Sequence, residues 1–294
     1  MNVTRPYIVR YLLVTCGLIG AALLAVGTSA SSDPQTAEAE TVLSTQATAN
    51  ANKLALIIGN GNYPDAAEPL NQPINDANGL AYAMRRHGFD VDVVEDGTRT
   101  DMARALERLK SRIRPGSVVM LFFGGYGVQS RQETYMIPTD AMIWKEADVR
   151  HEGMSVETVL HAINERGARA TLAVLDASRR NPYERRFRTY SHGLAPVYAP
   201  SNALIISSAT PGKVADDTEG EHSVLVTELL NEIDAQVSVE GVFNKTRVAV
   251  FRASNGAQVP SVSSSLSEKV NFGPSNDLDL TTSSIAPTIT EDDP

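Results

Sequence analysis

The chain of 294 residues reads as an α/β protein in which a mainly parallel sheet is covered by helices on both faces, a three-layer sandwich. Three observations predict this. Between Lys53 and Phe272, short continuous apolar runs alternate with segments whose apolar residues recur at helical spacing. Strands buried on both faces read as such unbroken runs, and joining parallel strands takes a crossover helix. Hydrophobic residues make up 42% of the chain, enough for one sizeable core with flanking segments, and no internal repeat divides it.

The elements follow in order. Leu54 to Ile58 is a buried strand ended by Gly59-Asn60-Gly61. Pro73 opens a helix with Ile74, Ala77, Leu80, Ala81 and Met84 on one face, and Gly88 stops it. Phe89 to Val94 is the second strand. Thr100 is placed to cap a helix carrying Met102, Ala105, Leu106, Leu109 and Ile113, which Pro115-Gly116 terminates. Val118 to Phe123 is the third strand, and Glu133 to Pro138 a short hairpin arm. Val156, Val159, Leu160 and Ile163 mark a helix before the fourth strand, Ala170 to Leu175. Ala203 to Ser207 is the fifth. Helices near Val224 to Ile233 and Val242 to Ala253 follow, with a closing strand expected at Lys269 to Phe272.

The ends have a different character. Arg5 and Arg10 precede an apolar stretch from Tyr11 to Val26, and the small residues Gly27 to Ala30 follow, the pattern of a signal peptide over residues 1–30. The stretch falls short of the ~20 residues of a membrane span. Export to the periplasm or beyond is therefore expected, and an uncleaved anchor in the inner membrane is the one membrane attachment the sequence allows. Residues 31–52 and 274–294, rich in Ser, Thr and Ala or Asp, read as a flexible linker and a disordered tail around a domain at 53–273.

Composition excludes several functions. A net charge of -9 argues against non-specific nucleic-acid binding, which needs a dominant basic surface. Arg179, Arg180, Arg185, Arg186 and Arg188 form the one strong run of like charge and read as a solvated loop. The single cysteine, Cys16, lies within the signal segment, so a processed chain has no thiol for a disulfide, a metal or catalysis. No cofactor is indicated, since Gly59-Asn60-Gly61 lacks the third glycine of a nucleotide fingerprint. No metal is indicated either: Asp65, Glu68, Asp216 and Asp217 have no ligand spacing beyond that of a solvated loop.

Ligands of open α/β sheets bind beyond the carboxyl ends of the strands. The third strand runs into Gly124-Gly125-Tyr126-Gly127 and the fourth into Asp176-Ala177-Ser178-Arg179. If these strands are neighbours, Tyr126 and Ser178 emerge side by side, as a base and a nucleophile must.

From Lys53 to Phe272 the chain resembles the bacterial caspase-like family related to metacaspases, the orthocaspases. The resemblance is carried by LALIIGNGNY at 54–63, PINDANGLAYAM at 73–84, LFFGGYGVQ at 121–129, TLAVLDASRRNPY at 171–183, SSATPGKVADD at 207–217 and VPSVSSSLSEKVNF at 259–272. It implies a caspase-like sandwich and a cysteine-type endopeptidase ancestry. The family reads Ser-Gly-His-Gly at residues 124–127 and Asp-Ala-Cys-Arg at 176–179, so the resemblance puts Tyr126 in the position of the general base and Ser178 in that of the nucleophile. It also implies that Asp76 and Asp176 line an acidic pocket for an Arg or Lys side chain, with Gly124 replacing a pocket serine beside Gly125.

A Tyr/Ser pair is poorly suited to the vacated role. A serine hydroxyl needs a base to remove its proton, and tyrosine has a reference pKa of about 10 against about 6.5 for histidine. Supplying tyrosinate near neutral pH costs about 4–5 kcal/mol more than supplying neutral imidazole, roughly a three-thousand-fold penalty. Losing a nucleophile or base lowers turnover by about six orders of magnitude in a serine protease. The leading expectation is a pseudo-protease that binds a basic peptide or protein. The alternative is a hydrolase in which Ser178 attacks and Arg179 or Arg180 lowers the pKa of Tyr126. Against that alternative stands the reading in which Tyr126 only fills the old site and donates a hydrogen bond to Ser178 or to a carbonyl. The five histidines, at 87, 151, 161, 192 and 222, sit in no strand-end motif and read as surface or loop residues. Asp76 alone is also explained as a helix N-terminal acid.

Overall fold

A computed structural model describes residues 52–66, 69–187, 192–215 and 219–273. The expected signal peptide, the linker up to residue 51 and the tail lie outside the described residues, as do Glu68, Arg188, Asp216 and Asp217.

Hydrophobic alternation builds the sheet. In β3 (Val118–Gly124) every residue is buried; Val118, Met120 and Phe122 enter one core, and Val119, Leu121 and Phe123 the other. The same division holds in β1 (Lys53–Gly59) and β7 (Ala170–Asp176). With β2 (Asp90–Glu95), β8 (Ala203–Ser207) and β9 (Ser261–Ser264) they form a sheet of order β2-β1-β3-β7-β8-β9. All pairings are parallel except β8 with β9. Helices α1 (Pro73–Arg86), α5 (Val224–Glu232) and α6 (Val239–Ala253) cover one face. The opposite face carries α2 (Arg99–Arg112) and α4 (Val156–Asn164). The architecture is the expected α/β sandwich.

Several local expectations are corrected. The cap of α2 is Thr98 rather than Thr100: its hydroxyl accepts the Asp101 N–H at 3.2 Å, and Asp101 accepts the Thr98 N–H at 3.3 Å. Likewise α6 begins at Val239, because Ser238 accepts the Gly241 N–H at 3.2 Å. Residues 269–272 form no strand; Val270 and Phe272 instead plug the core under α6, and Lys53 Nζ donates to the Phe272 carbonyl at 2.7 Å. The closing strand is β9.

A small second sheet stands beyond the carboxyl end of β3. Its strands β4 (Gly127–Ser130) and β5 (Glu133–Met136) form the hairpin, with β6 (Met154–Ser155) beside them. The two-residue turn holds Arg131 at φ 52° and Gln132 at φ 67°, a twist that suits a hairpin without the usual Asn-Gly signal. The short helix α3 (Glu146–Glu152) follows it. Tyr63, Leu70, Tyr126, Val128, Tyr135, Ile137 and Tyr183 form a third apolar cluster there, over the end of the main sheet.

Phe122 lies at the centre of the sheet and is fully buried. Phe122→Ala is expected to lower the unfolding free energy by about 3–5 kcal/mol, read as a shift of the urea midpoint at unchanged slope.

Candidate active-site cleft

Strands β3 and β7 are neighbours, in a register that pairs Gly124 with Asp176. Beyond the ladder, the Gly125 N–H donates to the Asp176 carbonyl at 3.3 Å and the Gly127 N–H to the Ala177 carbonyl at 3.1 Å. Tyr126 and Ser178 therefore leave the sheet on adjacent chains at the same end, as the sequence predicts. Their side chains do not complete a dyad. Ser178 is 1% exposed, and its Oγ has no hydrogen-bond partner among the described residues, so the expected bond from Tyr126 to Ser178 is absent. The backbone of Ser178 is held instead: its N–H donates to Ser208 Oγ at 3.2 Å, and its carbonyl accepts the Ala215 N–H at 2.7 Å.

Tyr126 is buried and stands edge-on to Tyr63, with ring centroids 4.9 Å apart. The Tyr63 hydroxyl accepts the Tyr126 N–H at 3.0 Å and donates to the Ile137 carbonyl at 3.0 Å. Burial holds that hydroxyl above the ordinary tyrosine range, which keeps its proton in place for the second bond. The Tyr63 contact also explains Gly125, where a Cβ would stand 2.5 Å from the Tyr63 oxygen. A Cβ on Gly124 would press on the Phe122 ring at 3.0 Å, so a serine there requires that ring to shift.

Asp76 and Asp176 come together although they are 100 positions apart in the chain. Asp76 lies in the first turn of α1 with no exposure, more deeply buried than a helix N-terminal acid needs to be. Its Oδ1 accepts the Ser223 N–H at 3.0 Å and lies 3.1 Å from His222 Nδ1, while Oδ2 has no hydrogen-bond partner among the described residues. Asp176 is 3% exposed, and its Oδ2 likewise lacks a hydrogen bond. Burial, and secondarily the charge of Asp176, pushes the Asp76 carboxyl up to about 8; the Ser223 bond and the Arg179 charge oppose this.

The arginine run is not one solvated loop. Arg180 and Arg185 are exposed, but Arg179 is 5% exposed and turns inward, where Nη1 donates to the Gly125 carbonyl at 3.1 Å and to the Asp176 carbonyl. Its Nη2 lies 3.8 Å from Asp176 Oδ2. Arg186 pairs with Asp65 at 2.7 Å and lies over the Trp144 ring at 4.9 Å. That pairing gives Asp65 a structural partner. No cluster of three metal-ligating side chains occurs among the described residues.

His222 is the residue that sequence reasoning missed. It precedes Ser223, whose hydroxyl caps α5 by accepting the Val226 N–H at 3.1 Å, and that cap is legible as a serine before an apolar run. Its pairing with Asp76 is not, because α1 and α5 meet only in the folded layer. A cavity of about 810 Å³ lies along the outer side of α2, lined by Arg99, Arg104, Arg108 and Asp140, and it includes none of the strand-end residues.

The Asp76 shift sets a pH dependence. The folded chain keeps this proton above the ordinary carboxyl value of 3.8, where the unfolded chain has released it. Stability from the proton is thus full below about pH 4 and is lost as pH rises towards about 8. Asp76→Asn cannot titrate, so the unfolding free energy of the wild type is expected to fall relative to that variant across this window. The slope, from urea unfolding at several pH values, reaches at most about 1.4 kcal/mol per pH unit.

Comparison with known proteins bears on the fold. The mucosa-associated lymphoid tissue lymphoma translocation protein 1 of Homo sapiens is 28% identical over 135 residues, 45% of this chain and 16% of that protein. Its homolog in Mus musculus is 27% identical over the same length and shares. The chain thus spans 16% of the length of these curated relatives. A family model described as the caspase domain matches residues 52–271, well over half of the chain. With its parallel sheet and two helical layers, the chain belongs to the caspase-domain family.

Proposed function

We propose that this caspase-fold chain is an exported pseudo-protease that binds a basic peptide or protein partner without cutting it. The carrying observation is at Ser178, whose Oγ is buried and has no base within hydrogen-bond reach among the described residues. Residues 52–273 contain no cysteine to take over the attack. Arg179, invoked above to lower the tyrosine pKa, is turned towards Asp176 and two backbone carbonyls. Two buried carboxyl groups, Asp76 and Asp176, each with an Oδ2 that lacks a hydrogen bond among the described residues, support a basic side chain with several N–H donors as the bound group. The basic apolar leader at residues 1–30 supports export, to the periplasm or beyond or to an inner-membrane anchor.

Incubated with a broad library of peptide substrates, the purified wild type is expected to show no cleavage above the blank. Tyr126→His with Ser178→Cys serves as the positive control. Wild-type hydrolysis that disappears in Ser178→Ala overturns the reading in favour of a serine hydrolase.

Binding gives a separate test. Titration with arginine-containing peptides is expected to show measurable affinity that Asp76→Ala weakens by about tenfold or more, the worth of one charge-assisted hydrogen bond. An affinity unchanged by that substitution removes the acidic pair from recognition.

A further inference from the structure

We infer that residues 44–51 lie as an extended strap in the groove along the outer side of α2. The groove is the cavity of about 810 Å³ described above, and it runs the length of the helix, from Arg99 past Ala103 and Glu107 to Ser111. Its lining side chains on α2 are exposed, so no described part of the chain covers them. The point of entry selects the segment. Asn52 is the first described residue; its carbonyl accepts the Val118 N–H at 3.0 Å, and its Nδ2 donates to the Arg112 carbonyl at 3.2 Å. Arg112 ends α2 directly after Ser111, so the chain ahead of Asn52 sets out from the mouth of the groove. Length agrees. From Arg99 to Ser111 the helix advances ~18 Å, and residues 44–51 span ~26 Å when extended.

Chemistry agrees as well. Ala47, Ala49 and Ala51 alternate with Gln46, Thr48 and Asn50, so an extended chain puts the methyl groups on one face and the amides and hydroxyl on the other. The small face suits a shallow groove of Ala103 and the aliphatic stems of its arginines. Charge on the groove is balanced, with Arg99, Arg104 and Arg108 against Glu107, Asp140 and Glu152, and residues 44–51 carry none. The segment at the other end of the chain, 274–294, holds Asp277, Asp279, Glu291, Asp292 and Asp293 and no basic residue, a net charge that a balanced groove leaves uncompensated. The strap has a direction. Helix α2 starts beyond Glu95, which is level with Gly59 and Gly124 in the sheet. A chain running back along α2 therefore brings Ser44 to the end of the sheet that carries Tyr126 and Ser178.

The test is disulfide trapping in the full chain with Cys16→Ser, which removes the native thiol. Two pairs span the groove, Ala47→Cys with Ala103→Cys and Ala49→Cys with Glu107→Cys. The control joins Ala47→Cys to Arg166→Cys, an exposed position past α4 at the same end of the sheet as Asn52, where the Arg169 N–H donates to the Ser117 carbonyl. Oxidised glutathione is the oxidant, peptide mapping reads the bridges, and each rate is divided by the reactivity of its thiols towards dithionitrobenzoate. A docked strap is expected to close either groove pair at least tenfold faster than the control, whereas a free segment of this length reaches all three positions. A smaller ratio in both groove pairs overturns the inference. So does bridging between two chains instead of within one, which gives the groove to a second copy. A measurement free of cysteine exchanges residues 44–51 for alternating Gly and Ser, and the thermal midpoint is expected to fall by ~2–4 °C. An unchanged midpoint overturns the inference even where the bridges close, since a segment that only visits the groove adds no stability.

Discussion

The pairing of β3 with β7 runs through seven residue pairs, from Val118 against Ala170 to Gly124 against Asp176, and the cleft depends on it. A parallel ladder evenly spaced by hydrogen bonds leaves little freedom of register, and a slip of one residue would turn each side chain to the other face. Because the interior faces of both strands are filled by large apolar residues, such a slip would expose Phe122 or Phe123 to the wrong layer. The same constraint delivers Tyr126 and Ser178 to one edge and places the Asp176 carbonyl opposite the Gly125 N–H.

Within this frame the cleft is an electrostatic compromise. Two carboxyl groups share a buried volume with one arginine, and a histidine stands at the outer edge of Asp76. Burial penalises every charge there, so the arrangement holds together through proton uptake by Asp76 and through backbone carbonyls that solvate Arg179. In the proposed reading, a site tuned in this way recognises charge without an activated nucleophile.

Much of the scaffold was legible because burial on both faces of a sheet writes itself as unbroken apolar runs, as in Val118 to Phe123 and Ala170 to Leu175. The two strand-end segments were legible for the same reason, since they begin where those runs stop. What escaped was local or distant. Thr98 and Ser238 set helix starts through single capping positions that apolar periodicity does not mark, and Val149 is the one buried residue of α3, too little to show a face. The turn at Arg131-Gln132 uses positive φ without glycine or asparagine. Arg179 looked like part of a charged run because its inward course depends on two carbonyls and a carboxylate, and His222 reaches Asp76 across 146 positions of chain.

The Tyr63 hydroxyl, bridging the Tyr126 N–H and the Ile137 carbonyl, ties the strand-end glycine segment to the hairpin from behind. The peptide plane at residue 126 is consequently fixed by a neighbour's oxygen and not by whatever side chain the position displays. Such a mount separates the backbone's course from the side chain displayed on it: the Tyr126 peptide is held by an oxygen that does not belong to residue 126, so its position does not hang on the phenol.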